Sequence, residues 1–344
     1  RVIAETGAGT AAGMPDALFK SVEFLPANEV AAQSDVLLSV GRPDESALAG
    51  LKPGAVVIGM LRPYEADAFV AKARDAGITS FAMELVPRIS RAQSMDTLSS
   101  QAAAAGYRAV LLGATELNKF LPMLTTAAGT IRPASALVIG AGVAGLQAIA
   151  TARRLGAQVF GYDVRSATRE QVESLGARFV DTGVKAEGEG GYARELTEEE
   201  RAAQQAALAD VIAKSDLVIT TAAVPGRPAP RIIEAATVER MQPGAVIVDL
   251  AAEGGGNCEL TRAGETVDHG GVKIVGPVNL PAGVARHASE MFARNLLNFL
   301  SPMVTDGKLA IDWEDEVYAE SALTHDGAVR FGPAREALGE GEAS

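Results

Sequence analysis

Short apolar runs alternate with longer amphipathic segments along most of the chain, an order typical of α/β folds with parallel sheets. Each apolar run predicts a buried strand, and each amphipathic segment predicts a helix. The predicted strands are 36–40, 55–59, 79–83, 136–139, 158–162, 178–180, 216–222, 245–250 and 272–275. The predicted helices are 65–75, 92–113, 166–175, a helix ending at 213, 232–241 and 290–300. The pattern therefore predicts an α/β protein with two Rossmann-like domains and parallel sheets, the second of them doubly wound.

The two groups of predicted strands define two domains along the chain. The first domain is expected over 1–97. Residues 288–344 are expected to complete it, because the apolar helix 290–300 would return the chain there. The second domain is expected over 98–287, with a cleft between the two domains. The first nine residues are typical of a strand and turn inside a domain, so we expect an N-terminal piece to precede them.

Composition narrows the functions open to this 344-residue chain. The net charge is −12, and no stretch concentrates Lys and Arg, which argues against nucleic-acid binding. No run of about 18 apolar residues is found, so we expect no direct membrane insertion. Cys258 is the only cysteine of the sequence, which fits a reducing compartment and a structural role. No His and Cys spacing is typical of a metal site, and none is expected.

Residues 136–163 contain a nearly complete dinucleotide-binding unit. The buried strand 136–139 is followed by Gly140, Gly142 and Gly145 in the order G-x-G-x-x-G, and then by a helix and a second strand. In this pattern the first glycine permits a tight turn, the second lets the backbone approach a pyrophosphate, and the third lets helix and strand pack closely. Asp163 ends the second strand, where its carboxylate can accept hydrogen bonds from ribose hydroxyls and repel a 2′-phosphate. The unit therefore predicts binding of NAD(H) rather than NADP(H).

Residues 181–200 interrupt the apolar pattern with glycines and charged side chains. One interpretation is a solvated insertion that leads into the next helix. The other is a mobile lid whose single aromatic side chain, Tyr192, folds onto a bound nucleotide, since long loops in compact domains are often functional.

Residues 84–110 are unusually polar for a segment between two domains. Ser90 and Gln93 match a capping box, which predicts a helix start at this point. Gln93, Asp96 and Ser99 follow at intervals of three residues and can project from neighbouring turns, with Arg88 just before them. From spacing alone, these side chains form either a capped surface helix with an Arg–Asp pair or a set that holds a nicotinamide ribose and carboxamide.

Four motifs in this sequence resemble those of one family. They are M-E-L-V-P-R-I-S-R-A-Q-S-M-D-T-L-S-S-Q (83–101), F-L-P-M-L-T-T-A-A-G-T-I-R-P-A (120–134), G-G-Y-A (190–193) and D-L-A-A-E-G-G-G-N-C (249–258). Together with the glycine pattern, they resemble domain I, the NAD(H)-binding component of proton-translocating NAD(P)+ transhydrogenases. The resemblance covers essentially the whole chain, without the first few dozen residues of the family.

The resemblance implies a function, a set of site residues and partners. It implies that Arg88, Gln93, Asp96 and Ser99 hold the nicotinamide end of NAD(H) and form the transfer site. For the remainder of the nucleotide it implies Gly140, Gly142, Val143, Ala144, Gly145, Asp163, Val164, Arg165, Gly191, Tyr192, Thr221 and Ala222. The implied assembly is a homodimer, cytoplasmic and peripheral at the inner membrane, with an NADP(H)-binding subunit and a membrane-spanning subunit. Hydride would pass between NADH here and NADP+ on the partner, coupled to proton translocation.

Two other functions remain open at the level of sequence. One is a stand-alone amino-acid dehydrogenase, because alanine dehydrogenases share the fold. Their substrate Lys and His would fall at Gly41 and Met60, and their catalytic Asp at Glu253, so three departures argue against this activity. The other is a non-catalytic NAD-sensing subunit, because the predicted site has few residues suited to acid–base catalysis.

Overall fold

The chain forms two compact units in the computed structural model, which describes residues 1–65, 68–183 and 197–339. Unit 1 comprises residues 1–101 and 284–344, and unit 2 comprises residues 102–283. These limits lie a few residues from those expected at 97 and 288.

Helices and strands alternate through both units. Residues 1–101 contain β1 (Ile3–Glu5), β2 (Glu23–Leu25), α1 (Ala27–Gln33), β3 (Val36–Ser39), α2 (Glu45–Gly50), β4 (Val56–Gly59), α3 (Ala68–Asp75), β5 (Thr79–Ala82) and the start of α4 (Thr97–Glu116). Unit 2 continues with β6 (Leu124–Thr126), β7 (Gly129–Ile131), β8 (Ser135–Ile139), α5 (Val143–Arg154), β9 (Gln158–Tyr162), α6 (Arg169–Ser174), β10 (Arg178–Phe179), α7 (Glu198–Ala213), β11 (Leu217–Thr220), α8 (Ala235–Val238), β12 (Val246–Asp249), β13 (Thr266–His269) and β14 (Val272–Val275). The last stretch contains α9 (Ala285–Leu300), β15 (Val304–Thr305), β16 (Lys308–Leu309), α10 (Glu316–Ser321), β17 (Ala322–His325), β18 (Ala328–Val329) and α11 (Gly332–Ala337). Among these described helices, none has both the length and the apolar character needed to cross a bilayer.

Unit 1 is built on a sheet with the strand order β18-β17-β5-β4-β3. Strands β3, β4 and β5 are parallel, and every residue of β4 and β5 is buried. The C-terminal strand β17 pairs antiparallel with β5, so residues from the end of the chain complete a sheet that begins near residue 36. Helix α9 contributes Phe292, Leu296 and Phe299 to the core on Ile58 and Phe81. The predicted return of the chain to its first domain thus supplies both a strand of this sheet and a helix of its core.

Unit 2 is built on a larger sheet with the strand order β10-β9-β8-β11-β12-β14-β13. All pairs are parallel except β13 with β14. Strand order runs outward from β8 in both directions, as in a doubly wound sheet, and such sheets bind ligands where the order reverses. That point lies at the C-terminal ends of β8 and β11. The predicted α/β class with parallel sheets is therefore confirmed.

Several predicted elements have different bounds in the structure. The predicted helix 232–241 shortens to α8, because the backbone amides of Ile232 and Ile233 bond to the Asn257 carbonyl instead of to a helical turn. The predicted helix 92–113 begins only at Thr97, after a 3-10 segment at Ser90–Met95. The β6–β7 hairpin was not predicted. Most of the predicted lid, 184–196, lies outside the described residues.

Candidate functional site

Residues 140–145, which join β8 to the first turn of α5, form a glycine turn whose conformation depends on two of its three glycines. Gly140 has φ +97°, a left-handed conformation that side chains rarely adopt. A Cβ on Gly145 would lie 1.7 Å from the carbonyl oxygen of Gly140, so only glycine fits there. A Cβ on Gly142 would meet no atom within 4 Å. The turn therefore requires Gly140 and Gly145 for its own packing, whereas Gly142 leaves open space in front of the backbone.

Helix α5 directs its N-terminus into this open space. The helix begins at Val143, so the amides of its first turn have no acceptor within the helix. Such a terminus offers N–H groups and a positive dipole end to an anion. Val143 is largely exposed, as is Val164 after β9. The turn thus combines donors for phosphate groups with apolar side chains that can contact a base.

Asp163 lies beside the glycine turn and holds a dense set of hydrogen bonds. Its carboxylate accepts from the amide of Ala141 at 2.7 Å and from the amide of Arg165 at 2.9 Å. The guanidinium of Arg165 donates to both carboxylate oxygens, with Nε and Nη2 each at 2.9 Å. Burial alone would raise the pKa of Asp163, but the donors from Arg165 and Ala141 bring this pKa below its ordinary value. Asp163 is therefore ionised at neutral pH.

The end of β11 supports the glycine turn from the neighbouring strand. The Thr221 hydroxyl lies 3.2 Å from the carbonyl oxygens of both Ile139 and Gly140. The Asn257 side chain accepts from the amide of Ala222 and donates to the carbonyl of Ala222. Both backbone polar groups of Ala222 are therefore bonded to the protein, and the carbonyl oxygen keeps a second lone pair.

Asp249 anchors Asn257 from inside the unit. Its carboxylate is fully buried and accepts from the side chains of Thr220 and Thr261 and from the amides of Ala251, Asn257 and Cys258. These five donors satisfy a carboxylate that has no contact with solvent, as a buried polar group requires. This network was not predicted. Resemblance alone singled out the Asp-Leu-Ala-Ala motif that begins at Asp249. The neighbouring sequence does not identify the hydrogen-bond partners of this carboxylate.

Unit 1 contains a cavity of about 330 Å³ beside the start of α4. All four residues predicted for the nicotinamide end, Arg88, Gln93, Asp96 and Ser99, line this cavity together with the apolar Ile89 and Ala92. Arg88 and Gln93 are exposed, whereas Asp96 and Ser99 are half-buried. The structure therefore brings together one cation, one amide, one carboxylate and one hydroxyl. We call residues 87–99 the cavity segment.

Asp96 caps helix α4 within the cavity segment. Its carboxylate accepts from the Ser99 amide at 2.8 Å and from the Ser99 hydroxyl at 2.6 Å. The predicted capping box of Ser90 and Gln93 was wrong, because the backbone at Asp96 is extended and ends the preceding 3-10 segment there. The Gln93 side chain therefore does not cap a helix, and it lines the cavity instead.

Two asparagines on α9 hold the cavity segment from a distant part of the sequence. Asn295 and Asn298 both donate to the carbonyl oxygen of Ser94, at 2.8 Å and 3.0 Å. Asn295, only 7% exposed, also accepts from the hydroxyl of Ser100. These contacts were not predicted. One feature of the sequence could have indicated them. Asn295 is a polar residue three positions after Phe292, on the apolar face of its helix, and a buried amide needs hydrogen-bond partners.

An ion pair provides a further anchor for the cavity segment. The guanidinium of Arg91 donates to both carboxylate oxygens of Asp315, at 2.7 Å and 2.5 Å. Hydrogen bonding from Arg91 is the main reason that the pKa of Asp315 is lowered. The cavity segment is therefore tied to the start of α10 as well as to α9.

The remaining predicted residues that the structure describes do not line the cavity. Gly191 and Tyr192 lie outside the described residues. At the positions that resemblance assigns to the substrate groups of alanine dehydrogenases, Gly41 is exposed, and the sulfur of Met60 accepts from the Thr97 hydroxyl at 3.3 Å. Glu253 is exposed. The Cys258 thiol is buried, and burial raises its pKa, which agrees with a structural role.

Comparisons with known proteins identify the family. Residues 1–105 match the family model "Alanine dehydrogenase/PNT, N-terminal domain", and residues 109–332 match the C-terminal domain of the same family. A component of NAD(P) transhydrogenase subunit alpha from Rhodospirillum rubrum is 50% identical over 95% of this chain and 89% of its own length. A crystal structure of transhydrogenase from Sinorhizobium meliloti is 48% identical, with a TM-score of 0.87 over 95% of this chain and 90% of that one. Alanine dehydrogenase of Mycolicibacterium smegmatis is 28% identical over 95% of this chain and 85% of its own length. The chain therefore belongs to the alanine dehydrogenase/PNT family.

Proposed function

We propose that this chain is the NAD(H)-binding subunit of a proton-translocating transhydrogenase and passes hydride between NADH and NADP+ held on a partner subunit. The observation that carries the proposal is the cavity of unit 1, where Arg88, Gln93, Asp96 and Ser99 converge. The relatives named as transhydrogenase alpha subunits support the same choice within the family, since the identity of the Rhodospirillum rubrum protein to this chain far exceeds that of the alanine dehydrogenase.

The residues of the glycine turn fit the phosphates of a dinucleotide. The space in front of Gly142 would be filled by a Cβ, and the open N-terminus of α5 supplies donors there. We assign the pyrophosphate to Gly140, Gly142 and the first turn of α5 at Val143 and Ala144, with Gly145 providing the close helix packing. We assign five further residues to the adenosine end of the nucleotide: Asp163, Val164, Arg165, Thr221 and Ala222. Gly191 and Tyr192 remain assigned to a lid.

The side chains of the cavity segment fit the nicotinamide end. When bound, the dihydronicotinamide supplies the hydride. Asp96 is already oriented by two hydrogen bonds from Ser99, so its position is fixed before a ligand arrives. Arg88 and Gln93 are exposed and can donate to the ribose, the carboxamide or the nucleotide of a partner. In this arrangement the side chains of the cavity segment would orient the nicotinamide ring.

Orientation is what direct hydride transfer requires. Two nicotinamide rings must approach to about 3–3.5 Å, and misplacement by about 1 Å can cost a hundredfold in rate. The reaction needs no proton donor and no nucleophile. Amino-acid oxidation, in contrast, requires groups that bind and deprotonate the substrate. Met60 offers no such group, and the exposed Gly41 offers no side chain.

The proposal includes an assembly. The names of the relatives describe one component of an alpha subunit, which suggests that this chain acts with other subunits. We propose a homodimer that carries NAD(H) and docks with an NADP(H)-binding subunit and a membrane-spanning subunit at the cytoplasmic face of the inner membrane. Proton translocation would then take place in the membrane-spanning partner.

The test is a reconstitution. The chain is mixed with the NADP(H)-binding component of a transhydrogenase, and hydride transfer from NADH to an NADP+ analogue is followed by stopped-flow absorbance. We expect rapid transfer that requires both proteins. Turnover of alanine with NAD+ by this chain alone would identify an alanine dehydrogenase instead. Tight NADH binding without transfer to any partner would identify an NAD-sensing subunit.

A further inference from the structure

The carboxylate of Asp163 receives four hydrogen bonds from its own chain. Two come from the amides of Ala141 and Arg165, and two come from the guanidinium of Arg165. A carboxylate offers about four lone-pair positions, so these four bonds fill them, and a further donor would have to share an oxygen, as happens on the more crowded Asp249. The ribose hydroxyls of a nucleotide would therefore compete with the present donors for Asp163, and each donor that leaves would free a position for one hydroxyl.

The four donors differ in their freedom to leave. The Ala141 amide belongs to the glycine turn, and the Arg165 backbone is fixed because its carbonyl accepts from both the amide and the hydroxyl of Thr168. The Arg165 side chain, in contrast, is 60% exposed, whereas the Asp163 side chain is only 6% exposed. The guanidinium is thus the donor that can move into solvent while the backbone stays in place.

We propose that Arg165 is a specificity-determining latch on the adenosine subsite, a role that rests on the NAD(H) binding proposed above. In the free protein its guanidinium covers Asp163 and occupies the place of the ribose hydroxyls. Binding of NADH opens the latch, because the hydroxyls replace the two guanidinium bonds on the carboxylate. Arg165 therefore competes with NADH for Asp163.

The latch has the opposite effect on NADPH. A 2′-phosphate cannot donate to Asp163, and it is repelled by the carboxylate. While the latch stays closed, the guanidinium offsets the negative charge of Asp163 and presents a cation beside the phosphate, as a neighbouring Arg does in NADP-binding folds. Arg165 therefore reduces the preference for NADH over NADPH, and its removal enlarges that preference.

Substitution of Arg165 tests the latch. Arg165→Met keeps the length of the side chain but cannot donate, so NADH should bind more tightly, by roughly two- to fivefold, the range expected for an exposed ion pair. NADPH should bind more weakly, by a similar factor. Arg165→Lys keeps the positive charge but loses the bidentate geometry of the guanidinium. Its affinities for NADH and NADPH should lie between those of the unaltered chain and those of Arg165→Met. Arg240→Met is the matched control, because Arg240 pairs with Asp210 at the surface of the same unit and neither residue is assigned to the nucleotide site.

Calorimetric titration of both nucleotides gives the outcome. In the Asp163→Asn background, Arg165→Met should no longer tighten NADH binding, because the carboxylate that the latch covers is gone. Weaker or unchanged NADH binding by Arg165→Met, in a chain that otherwise binds NADH, would overturn the latch and leave the proposed function standing. Failure of the unaltered chain to bind NADH would overturn both.

The Arg165 side chain can also be observed directly. In ¹⁵N NMR spectra, the Nε–H signal of Arg165 should show an ion-paired, slowly exchanging proton in the free protein. Addition of NADH should return this signal to fast exchange, and addition of NADPH should not. An Nε–H that stays protected when NADH is bound would contradict the opening of the latch.

Discussion

The glycine turn of unit 2 and the cavity segment of unit 1 reach a defined geometry by different means. The glycine turn is determined by backbone sterics within a few residues, since Gly140 has a positive φ and Gly145 leaves no room for a Cβ. The cavity segment has few such constraints and is held by side chains about two hundred positions away, Asn295, Asn298 and Asp315. The comparison teaches that a local motif can fix the conformation of a turn, while the placement of the cavity side chains depends on the tertiary fold.

The largest effects are expected at the glycine turn. Gly145→Ala should destabilise unit 2 by about 3 kcal/mol, because the new Cβ overlaps the backbone carbonyl of Gly140. Gly142→Ala should leave the stability unchanged, because its φ of −80° suits alanine and its Cβ meets no atom. The same Cβ would enter the phosphate space, so NADH affinity should fall by about tenfold or more. Thermal unfolding and NADH titration of both variants separate packing from ligand contact.

Gly142→Ala and Gly145→Ala together test whether local backbone sterics determine the glycine turn and whether the turn holds phosphates. If Gly142→Ala bound NADH as tightly as the unaltered chain, the space in front of the turn would not hold the phosphates. If Gly145→Ala folded with full stability, backbone sterics would not determine the turn.

The same contrast explains how far the sequence could predict the molecule. Strand, glycine turn and Asp163 were predictable because their constraints are local, and every predicted strand recurs as a strand, with only its end residues changed. The capping box at Ser90 was wrong because the extended backbone at Asp96 ends the 3-10 segment and makes Asp96 the cap. The pairing of β17 and the partners of Asn295 could not be predicted, because they depend on which distant segments pack together.

A smaller effect is expected at α9. Asn295→Ala should destabilise unit 1 by about 1–3 kcal/mol, because the Ser100 hydroxyl loses the nearer of its two acceptors and the Ser94 carbonyl loses the donor that comes from the buried side. Asn298→Ala removes the other donor to Ser94 but is exposed, so its effect should stay within about 0.5 kcal/mol. Chemical denaturation measures both. Equal effects of the two substitutions would show that burial of Asn295 is not what holds the cavity segment.

A small effect is also expected for the anchor at Asp315. Arg91 is half exposed, so Asp315→Asn should cost less than about 1 kcal/mol. Because the pKa of Asp315 is lowered, its stabilisation is present above the ordinary value of 3.8 and is lost as the pH falls through the lowered value. The stability difference between this variant and the unaltered chain should therefore be constant from about pH 5 to pH 8 and shrink in acid. A difference that changed around neutral pH would assign the anchor to another group.

The central claim is that the glycine turn binds the nucleotide while the cavity segment orients it for transfer. The most direct test is stopped-flow hydride transfer from NADH bound to Gln93→Asn, with NADP+ on the reconstituted partner subunit. The substitution withdraws the amide by about one methylene from a cavity whose other side chains stay in place. We predict an NADH affinity within about threefold of the unaltered chain and a transfer rate at least about tenfold lower. An unchanged transfer rate together with a collapse of NADH affinity would contradict the account.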